Sequence, residues 1–281
     1  MSEKRLTDAE CGTCFRRCRL KEGQYGFCGA RRNLGGRIEC VNYGRLTSLA
    51  LDPVEKKPFA EFHPGSLILS CGSFGCNLTC PFCQNHTISR AFESSAHWSY
   101  ASPETIADQA LELADQGNLG VAFTYNEAMI GWEFVRDTAA IVHRHGLLNA
   151  VVTNGSVGLE ALEAVLPYVD AFNIDLKCFS EDSYKKLGGD FETVKSFIIR
   201  ASKDAHVEVT SLIVPGFNDD AEEMDRMAGW LASVDESIPL HITRFFPMYR
   251  VTDRPPTPLS VLRELRTVAE KHLRSVYLGN V

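Results

Sequence analysis

LILSCGSFGCNLTCPFCQN, residues 67–85, joins an apolar run of strand length to three closely spaced cysteines. Cys76, Cys80 and Cys83 follow one another at Cys-x3-Cys-x2-Cys spacing. This spacing lets one loop wrap an iron–sulfur cubane and present three thiolates to three irons, which leaves the fourth iron open to another ligand. A zinc knuckle with a distant fourth ligand is the alternative. The position of the loop directly after a strand favours the [4Fe–4S] cluster.

Apolar runs of strand length recur through the rest of the chain and alternate with runs of helical periodicity, such as 103–117 and 220–234. The predicted strands span residues 67–74, 120–126, 148–155, 171–177, 206–216, 240–247 and 275–280. Regular alternation of strand and helix predicts an α/β fold with a parallel sheet. The number of units favours a partial or complete TIM-like (β/α) barrel, whose functional residues lie at the carboxyl ends of the strands.

Residues 1–62 are rich in glycine and cysteine, and we predict a small metal-binding module there, followed by the barrel at 63–281. Four cysteines at x2, x3 and x9 spacing suit a second metal site, namely Cys11, Cys14, Cys18 and Cys28. Zinc and an iron–sulfur cluster both accept four thiolates, and inert free thiols are the alternative. The segment 35–51 predicts a strand pair with glycine turns. DPVEKKPF (52–59) predicts a linker with solvent-exposed lysines.

The composition narrows the class of protein. A net charge of −7 argues against an enzyme that tracks along a nucleic-acid backbone. No stretch approaches the roughly 20 apolar residues of a membrane span, and the sequence MSEKRLTDAECGTC lacks the apolar region of a signal peptide. We therefore expect a cytoplasmic protein, in which the two clusters of cysteines, seven of the ten in the chain, indicate metal sites rather than disulfides.

The three-cysteine motif, with Phe82 before its last cysteine, resembles that of the radical S-adenosylmethionine (SAM) superfamily. Further segments resemble, in order, the radical SAM proteins of the AmmeMemoRadiSam system, relatives of the pyruvate formate-lyase activating enzymes. These segments are DPVEKKPFAEFHPGS, FTYNEAMIGWE, VTNG, NIDLKCFSEDSYKKLGG, VEVTSLIVPGFND, HITRFFPMYRVTDRPPTP and YLGNV. The resemblance covers nearly the whole chain. It implies a radical SAM barrel with a [4Fe–4S] cluster and SAM as cofactors.

The resemblance also implies a reaction. In this superfamily the reduced cluster cleaves SAM to methionine and a deoxyadenosyl radical, which abstracts a hydrogen atom from a substrate. The implied substrate is a glycine backbone in a partner protein or a small molecule, and a flavodoxin or ferredoxin is the implied reductant. The alternative is a metal-bearing docking subunit of a multi-protein system with weak or no activity, because TYNEA (124–128) departs from the GGEP-type loop of activating enzymes.

The residues that the resemblance assigns to SAM lie at predicted strand ends. Lys177 is assigned to the methionine carboxylate and Asp175 to the sulfonium end, and both are assigned to catalysis. The remaining assigned contacts are Phe82, Gln84, Tyr125, Asn126, Glu127, Thr153, Asn154 and His241, the last against adenine. The alternatives are an ordinary Asp175–Lys177 ion pair, a helix cap at Glu127 and a hydrogen-bonded core histidine at His241.

Overall fold

The computed structural model describes residues 8–281, and its largest sheet has eight strands. In chain order they are β1 (Ser48–Pro53), β2 (Leu67–Gly72), β3 (Asn118–Phe123), β4 (Leu148–Thr153), β5 (Ala171–Asp175), β6 (His206–Ile213), β7 (Leu240–Arg244) and β8 (Val276–Gly279). Each strand pairs with the next along the chain. Strand β1 is antiparallel to β2, whereas all later neighbours are parallel. The predicted parallel α/β sheet is therefore confirmed.

Helices lie in the connections between the parallel strands, and several of them pack directly against the sheet. They are α1 (His86–Ser89), α2 (Pro103–Glu112), α3 (Trp132–Arg144), α4 (Leu159–Val165), α5 (Glu181–Lys186), α6 (Phe191–Ala201), α7 (Ala221–Asp235) and α8 (Leu259–Ala269). Side-chain caps define several starts, because Ser102, Asp190 and Asp220 accept backbone N–H groups at α2, α6 and α7. No helix in the described part of the chain is long and apolar enough to cross a bilayer.

Alternate residues of each strand face the helices and the barrel interior. On the helix side, Val151 and Phe172 belong to the main hydrophobic core. On the interior side, Ala122, Ala150 and Ala171 are small and surround a second apolar cluster. The small interior side chains leave room for another segment of the chain inside the barrel.

That segment is residues 54–62, here called the plug, which occupies the amino-terminal end of the barrel. Phe59 is fully buried in the interior cluster. The Pro58 carbonyl accepts from Asn173 Nδ2 on β5 at 2.7 Å. The Glu208 carboxylate on β6 accepts the backbone N–H groups of residues 60–62 at 2.9–3.2 Å. The plug closes one end of the barrel and leaves the other end free for a site.

The barrel is partial, because β1 and β8 are the two edges of the sheet in the part of the chain that the structure describes. A Tyr277 hydroxyl donates to Glu61 Oε1 at 3.0 Å across this gap, from β8 to the plug. The predicted TIM-like barrel is confirmed in its partial form. Strand β1, which the sequence did not assign to the barrel, supplies the antiparallel edge.

The cysteine-rich region forms short strand pairs outside the barrel. The pairs are Ala9–Glu10 with Arg19–Leu20, Arg31–Leu34 with Arg37–Cys40, and Arg45–Leu46 with Ser99–Tyr100. The buried Arg31 guanidinium binds both Glu133 carboxylate oxygens on α3, at 2.5 and 2.6 Å, and holds the region against the barrel. The division into 1–62 and 63–281 stays a prediction; residues 1–7 lie outside the described residues, and β1 lies in the first range while pairing with the second.

Candidate functional site

A cavity of about 340 Å³ opens at the carboxyl ends of the strands, here called the mouth, above the plug. Most of the sequence-predicted site residues line it, namely Cys76, Cys80, Cys83, Phe82, Gln84, Tyr125, Asn126, Glu127, Asn154, Asp175 and Lys177. Thr153 lies directly behind this lining, and His241 lies elsewhere. The parallel topology thus brings together residues that are about 100 positions apart in sequence.

The cysteine loop, residues 73–85, leaves β2 in a conformation that requires glycine. Gly75 has a φ of +93°, and a Cβ there would stand 2.5 Å from the Cys28 carbonyl oxygen. The Cys76 N–H donates to that same carbonyl at 3.2 Å, and the Cys83 N–H donates to the Cys80 carbonyl at 3.3 Å. The close approach of backbone from another segment therefore fixes where the loop begins.

The chemistry of the loop fits a [4Fe–4S] cluster. Burial raises the pKa of Cys80 to about 11 and that of Cys76 well above its usual value, so thiolates here need the positive charge that iron supplies. Cys76 Sγ accepts from the Leu78 N–H at 3.4 Å and from Asn154 Nδ2 at 3.7 Å. Within residues 8–281 no three Cys, His, Asp or Glu side chains surround a single-ion site. A cubane does not require one, because each thiolate binds a different iron.

The buried Glu127 carboxylate joins the ends of β3 and β4. It accepts from Thr153 Oγ1 at 2.6 Å, from the Asn154 N–H at 2.7 Å and from the Met129 N–H at 3.0 Å. Burial raises the pKa of Glu127 to about 7, although these hydrogen bonds oppose the increase. The bond from Met129 is a helix cap, as the alternative expected. Because Asn154 also donates to Cys76, this carboxylate positions a residue that contacts the cysteine loop.

Asp175 and Lys177 form an ion pair at the end of β5. Lys177 Nζ lies 2.7 Å from Asp175 Oδ2, and both side chains line the cavity. Burial lowers the pKa of Lys177, but the Asp175 carboxylate outweighs burial and the pKa is raised. The Lys177 backbone is held on both sides, since its N–H donates to the Tyr184 hydroxyl at 3.1 Å and its carbonyl accepts from Asn218 Nδ2 at 2.8 Å. The mouth therefore contains an ammonium group whose charged form and position are favoured by Asp175.

A polar cluster at the base of the mouth joins the predicted site residue Tyr125 to Asp52 and Lys57, which the sequence did not assign to the site. Tyr125, at a φ of +72°, directs its hydroxyl to Asp52 Oδ2 at 2.8 Å and accepts from Lys57 Nζ at 3.2 Å. The Lys57 side chain is 5% exposed, whereas that of Lys56 is 66% exposed. The prediction of a solvated linker is wrong for Lys57. No local signal marked it, because its burial depends on β1 pairing with β2 and on the plug.

The remaining cavity residues contact the loop or the rim. Asn126 Nδ2 donates to the Gly75 carbonyl at 3.2 Å and so helps to hold the start of the cysteine loop. Phe82 is buried and packs against Phe217, with ring centroids 5.5 Å apart. Gln84 is exposed at the rim of the cavity. Their assignment to SAM binding stays a prediction.

The structure does not bring His241 to the cavity. It is the second residue of β7, and its Nε2 lies 2.5 Å from Glu208 Oε2. Its ring stacks on Tyr277 with centroids 5.4 Å apart. Glu208 is the carboxylate that also binds the plug. This is the arrangement of a hydrogen-bonded core histidine, which was the alternative to an adenine contact.

The four amino-terminal cysteines also lie outside the cavity lining. Cys11, Cys14 and Cys28 are buried, and no described cysteine forms a disulfide. Their nearest link to the site is the hydrogen bond from the Cys76 N–H to the Cys28 carbonyl. Their role as metal ligands stays a prediction.

Comparison with known proteins identifies the family. Residues 71–231 match the radical SAM superfamily model. An uncharacterised protein of Methanocaldococcus jannaschii is 40% identical over 275 residues, which cover 96% of this chain and 81% of the relative. The pyruvate formate-lyase-activating enzyme of Clostridium pasteurianum is 25% identical over 170 residues, or 57% of this chain and 67% of that enzyme.

Solved structures share the fold. Streptococcus suis SuiB bound to S-adenosylmethionine has a TM-score of 0.57 at 12% identity, covering 73% of this chain and 47% of SuiB. A domain of the pyruvate-formate lyase-activating enzyme from Bacteroides vulgatus has a TM-score of 0.50 at 19% identity, covering 57% of this chain and 98% of that domain. This chain therefore belongs to the radical SAM superfamily, which uses a [4Fe–4S] cluster and SAM, and it is similar to pyruvate formate-lyase activating enzymes.

Proposed function

We propose that this chain is a radical SAM enzyme of the AmmeMemoRadiSam system that cleaves SAM reductively and abstracts a hydrogen atom from a substrate. The observation that carries the proposal is that one cavity at the mouth holds the three thiols of Cys76, Cys80 and Cys83 together with a charged lysine. These cysteines would hold the [4Fe–4S] cluster, which supplies the electron for SAM cleavage. The similarity to activating enzymes supports a protein backbone as substrate, and a small molecule is the other class.

Lys177 would bind the carboxylate of the methionine part of SAM. The ion pair with Asp175 already holds the ammonium group in one position, so it loses less side-chain freedom on binding an anion. Asp175 keeps the ammonium charged and oriented before SAM arrives. A charge-assisted hydrogen bond to a carboxylate is stronger than a neutral one, so Lys177 orients SAM as well as attracting it.

Glu127 and Asn154 would position the cysteine loop rather than react. The buried carboxylate fixes the Asn154 backbone, and the Asn154 side chain donates to Cys76 Sγ. Hydrogen bonds to cysteine sulfur are one of the means by which proteins tune the potential of an iron–sulfur cluster. The plug below excludes water from the barrel interior, which protects a reactive radical.

The proposed cleavage of SAM needs one electron from an external reductant. A flavodoxin or ferredoxin supplies one electron, and the carbon–sulfur bond of SAM breaks to give methionine and a deoxyadenosyl radical. That radical takes one hydrogen atom from the substrate and becomes deoxyadenosine, which leaves a substrate radical. Deoxyadenosine is therefore the product that reports the reaction without knowledge of the substrate.

The test is anaerobic reconstitution with iron and sulfide, reduction, addition of SAM and assay of deoxyadenosine. We expect deoxyadenosine from the wild-type chain and from Cys71→Ala, a matched control because Cys71 is buried on β2 outside the loop. We expect none from Cys80→Ala. A wild-type chain that retains no iron would overturn the proposal. Loaded protein that binds SAM but forms no deoxyadenosine would instead support the docking-subunit alternative.

A further inference from the structure

We propose that Cys11, Cys14, Cys18 and Cys28 form a second metal site, closed by four thiolates and packed against the cysteine loop of the first. The site takes a thiolate-bound metal, either one zinc ion or an iron–sulfur cluster, since both accept four cysteines. Unlike the first site, it has no coordination position left for SAM. Its chemistry is therefore structural or electron-transferring rather than substrate-binding.

The first three cysteines are presented by one tight turn. Ala9–Glu10 pairs with Arg19–Leu20, and the Cys11 N–H donates to the Cys18 carbonyl at 2.9 Å. Inside this turn the Arg17 N–H donates to the Cys14 carbonyl at 3.2 Å, with Arg17 at a φ of +41°. The turn packs on the barrel through the Cys14–Val157 bridge and the partly buried Phe15, and a bound metal would tie its cysteines to Cys28 in a separate segment.

Cys28 completes the set from a separate segment. It is buried beside Cys14, and the hydrogen bond from the Cys76 N–H to its carbonyl places it against the cysteine loop. Its thiol lies close enough to the Cys14 and Cys11 thiols to interact with them electrostatically. Cys28 therefore lies near Cys14 and Cys11, and Cys14 also lies near Cys18, so the turn and Cys28 bring the four cysteines together outside the cavity lining.

Arg16 supplies positive charge between the two groups of cysteines. Its Nε donates to the Asn77 carbonyl at 2.8 Å, and its guanidinium stacks over Phe27 at 3.7 Å. The Arg16 guanidinium lies close enough to the Cys14, Cys18 and Cys76 thiols to interact with them electrostatically. A half-buried cation beside Cys14 and Cys18 complements the negative charge that four thiolates place on a metal.

The structure does not hold these four side chains around one ion-sized point within residues 8–281, and the same is true of Cys76, Cys80 and Cys83. Metal binding in small cysteine modules is coupled to ordering of the ligands, so closure of the site accompanies binding. Cys40 is the obvious competitor as a ligand. Its thiol lies near Cys28 but donates to Asn42 Oδ1 at 3.1 Å in the turn that follows its own strand, so Cys40→Ala is the variant that tests it as a ligand.

The experiment counts metals in the full-length protein, purified and reconstituted without oxygen. We expect the wild-type chain to hold about four irons for the first cluster plus about one zinc or about four more irons. The double variant Cys11→Ala/Cys14→Ala should lose the additional metal and keep the first cluster, with its electron paramagnetic resonance signal still changed by SAM. Cys40→Ala is the matched control from the same region and should keep both the first cluster and the additional metal.

The converse variant separates this proposal from the proposed function. Cys76→Ala/Cys80→Ala/Cys83→Ala should keep the additional metal, and any iron signal that remains should not respond to SAM. Wild-type protein whose metal is fully removed by this triple variant, while it remains folded, would overturn the second site. If the double variant fails to fold, the triple variant and the wild-type metal count still decide whether the second metal site exists. X-ray absorption at the zinc and iron edges then distinguishes the two kinds of metal.

Discussion

The two ends of the barrel use polar residues in opposite ways. At the mouth, thiols, a carboxylate and a lysine ammonium surround an open cavity. At the closed end, the Glu208 carboxylate is already saturated by three plug N–H groups, His206 and His241. Polar groups at the mouth face an open cavity and can contact a ligand, whereas the carboxylate at the closed end makes all its hydrogen bonds within the protein.

The difference follows from position along the strands. Glu208 is the third residue of β6, near its amino end, whereas Asp175 is the last residue of β5. In a parallel barrel these positions lie at opposite ends, and function collects at the carboxyl ends. We therefore expect variants at the closed end to change stability without changing SAM binding, and variants at the mouth to do the reverse.

The largest expected effect is on the apolar part of the plug. Phe59→Ala removes a fully buried ring from the interior cluster, so we expect the free energy of unfolding to fall by about 3–5 kcal/mol. Phe92→Ala, at a ring that is 40% exposed, should cost about 1 kcal/mol or less. Denaturant titration measures both. Loss of iron binding in folded Phe59→Ala protein would break the separation between the two ends.

The next effect is on the carboxylate that holds the plug. Two histidines and the plug N–H groups lower the pKa of Glu208 to about 2, although burial opposes this. The folded pKa is below the unfolded one, so this stabilisation is present above about pH 4.5 and is lost as the pH falls towards 2. Because the pKa of Glu208 in the folded protein lies about 2.5 below the usual glutamate value, the carboxylate stabilises the fold by about 3 kcal/mol above pH 4.5.

Glu208→Gln should therefore lower the free energy of unfolding by about 3 kcal/mol at pH 6, and the gap to wild type should narrow towards pH 3. Glu61→Gln is the control, because Glu61 is exposed and accepts only the Tyr277 hydroxyl among the bonds described. Unfolding by denaturant at several pH values measures the gap. A gap that stays constant with pH would show that the carboxylate charge is not what holds the plug.

A smaller effect is expected at the mouth, and in SAM binding rather than in stability. Lys177→Met removes the ammonium that would meet the SAM carboxylate, so we expect SAM affinity to fall by about 2 kcal/mol, or about thirtyfold. Lys185→Met, at an exposed lysine on α5 outside the cavity lining, should leave affinity unchanged. Equilibrium binding of SAM to the reconstituted protein measures both. Unchanged affinity in Lys177→Met would reduce the Asp175 contact to an ordinary ion pair.

The two ends also differ in how far sequence reasoning reached. The mouth was predictable because the cysteine spacing is local and because each parallel strand carries its own apolar run and ends at the same edge. The closed end was not predictable from the sequence. Strand β1 is placed only by pairing with residues 67–72, and the plug only by the small interior side chains of β3 to β5. Nothing in DPVEKKPF itself marks Lys57 as buried.

His241 was assigned to adenine by family resemblance, although its position at the start of a strand indicated the other end of the barrel. A residue at the start of a parallel strand is expected near the amino end of the barrel, yet the resemblance placed it against adenine at the mouth. In the structure it precedes Thr243, which lines the cavity, by two residues, or about 7 Å along the strand. The strand register alone would have favoured the core histidine.

The smallest expected effect tests this placement directly. His241→Gln keeps a hydrogen-bond donor near Glu208 but removes the ring that stacks on Tyr277, so we expect the free energy of unfolding to fall by about 1 kcal/mol. SAM affinity should not change, because the side chain does not line the cavity. Loss of a stacking contact with adenine would cost about 1–3 kcal/mol of binding free energy. SAM binding weakened tenfold or more would therefore show that His241 contacts SAM at the mouth. Parallel measurement of unfolding and SAM binding therefore assigns this residue to one end of the barrel or the other.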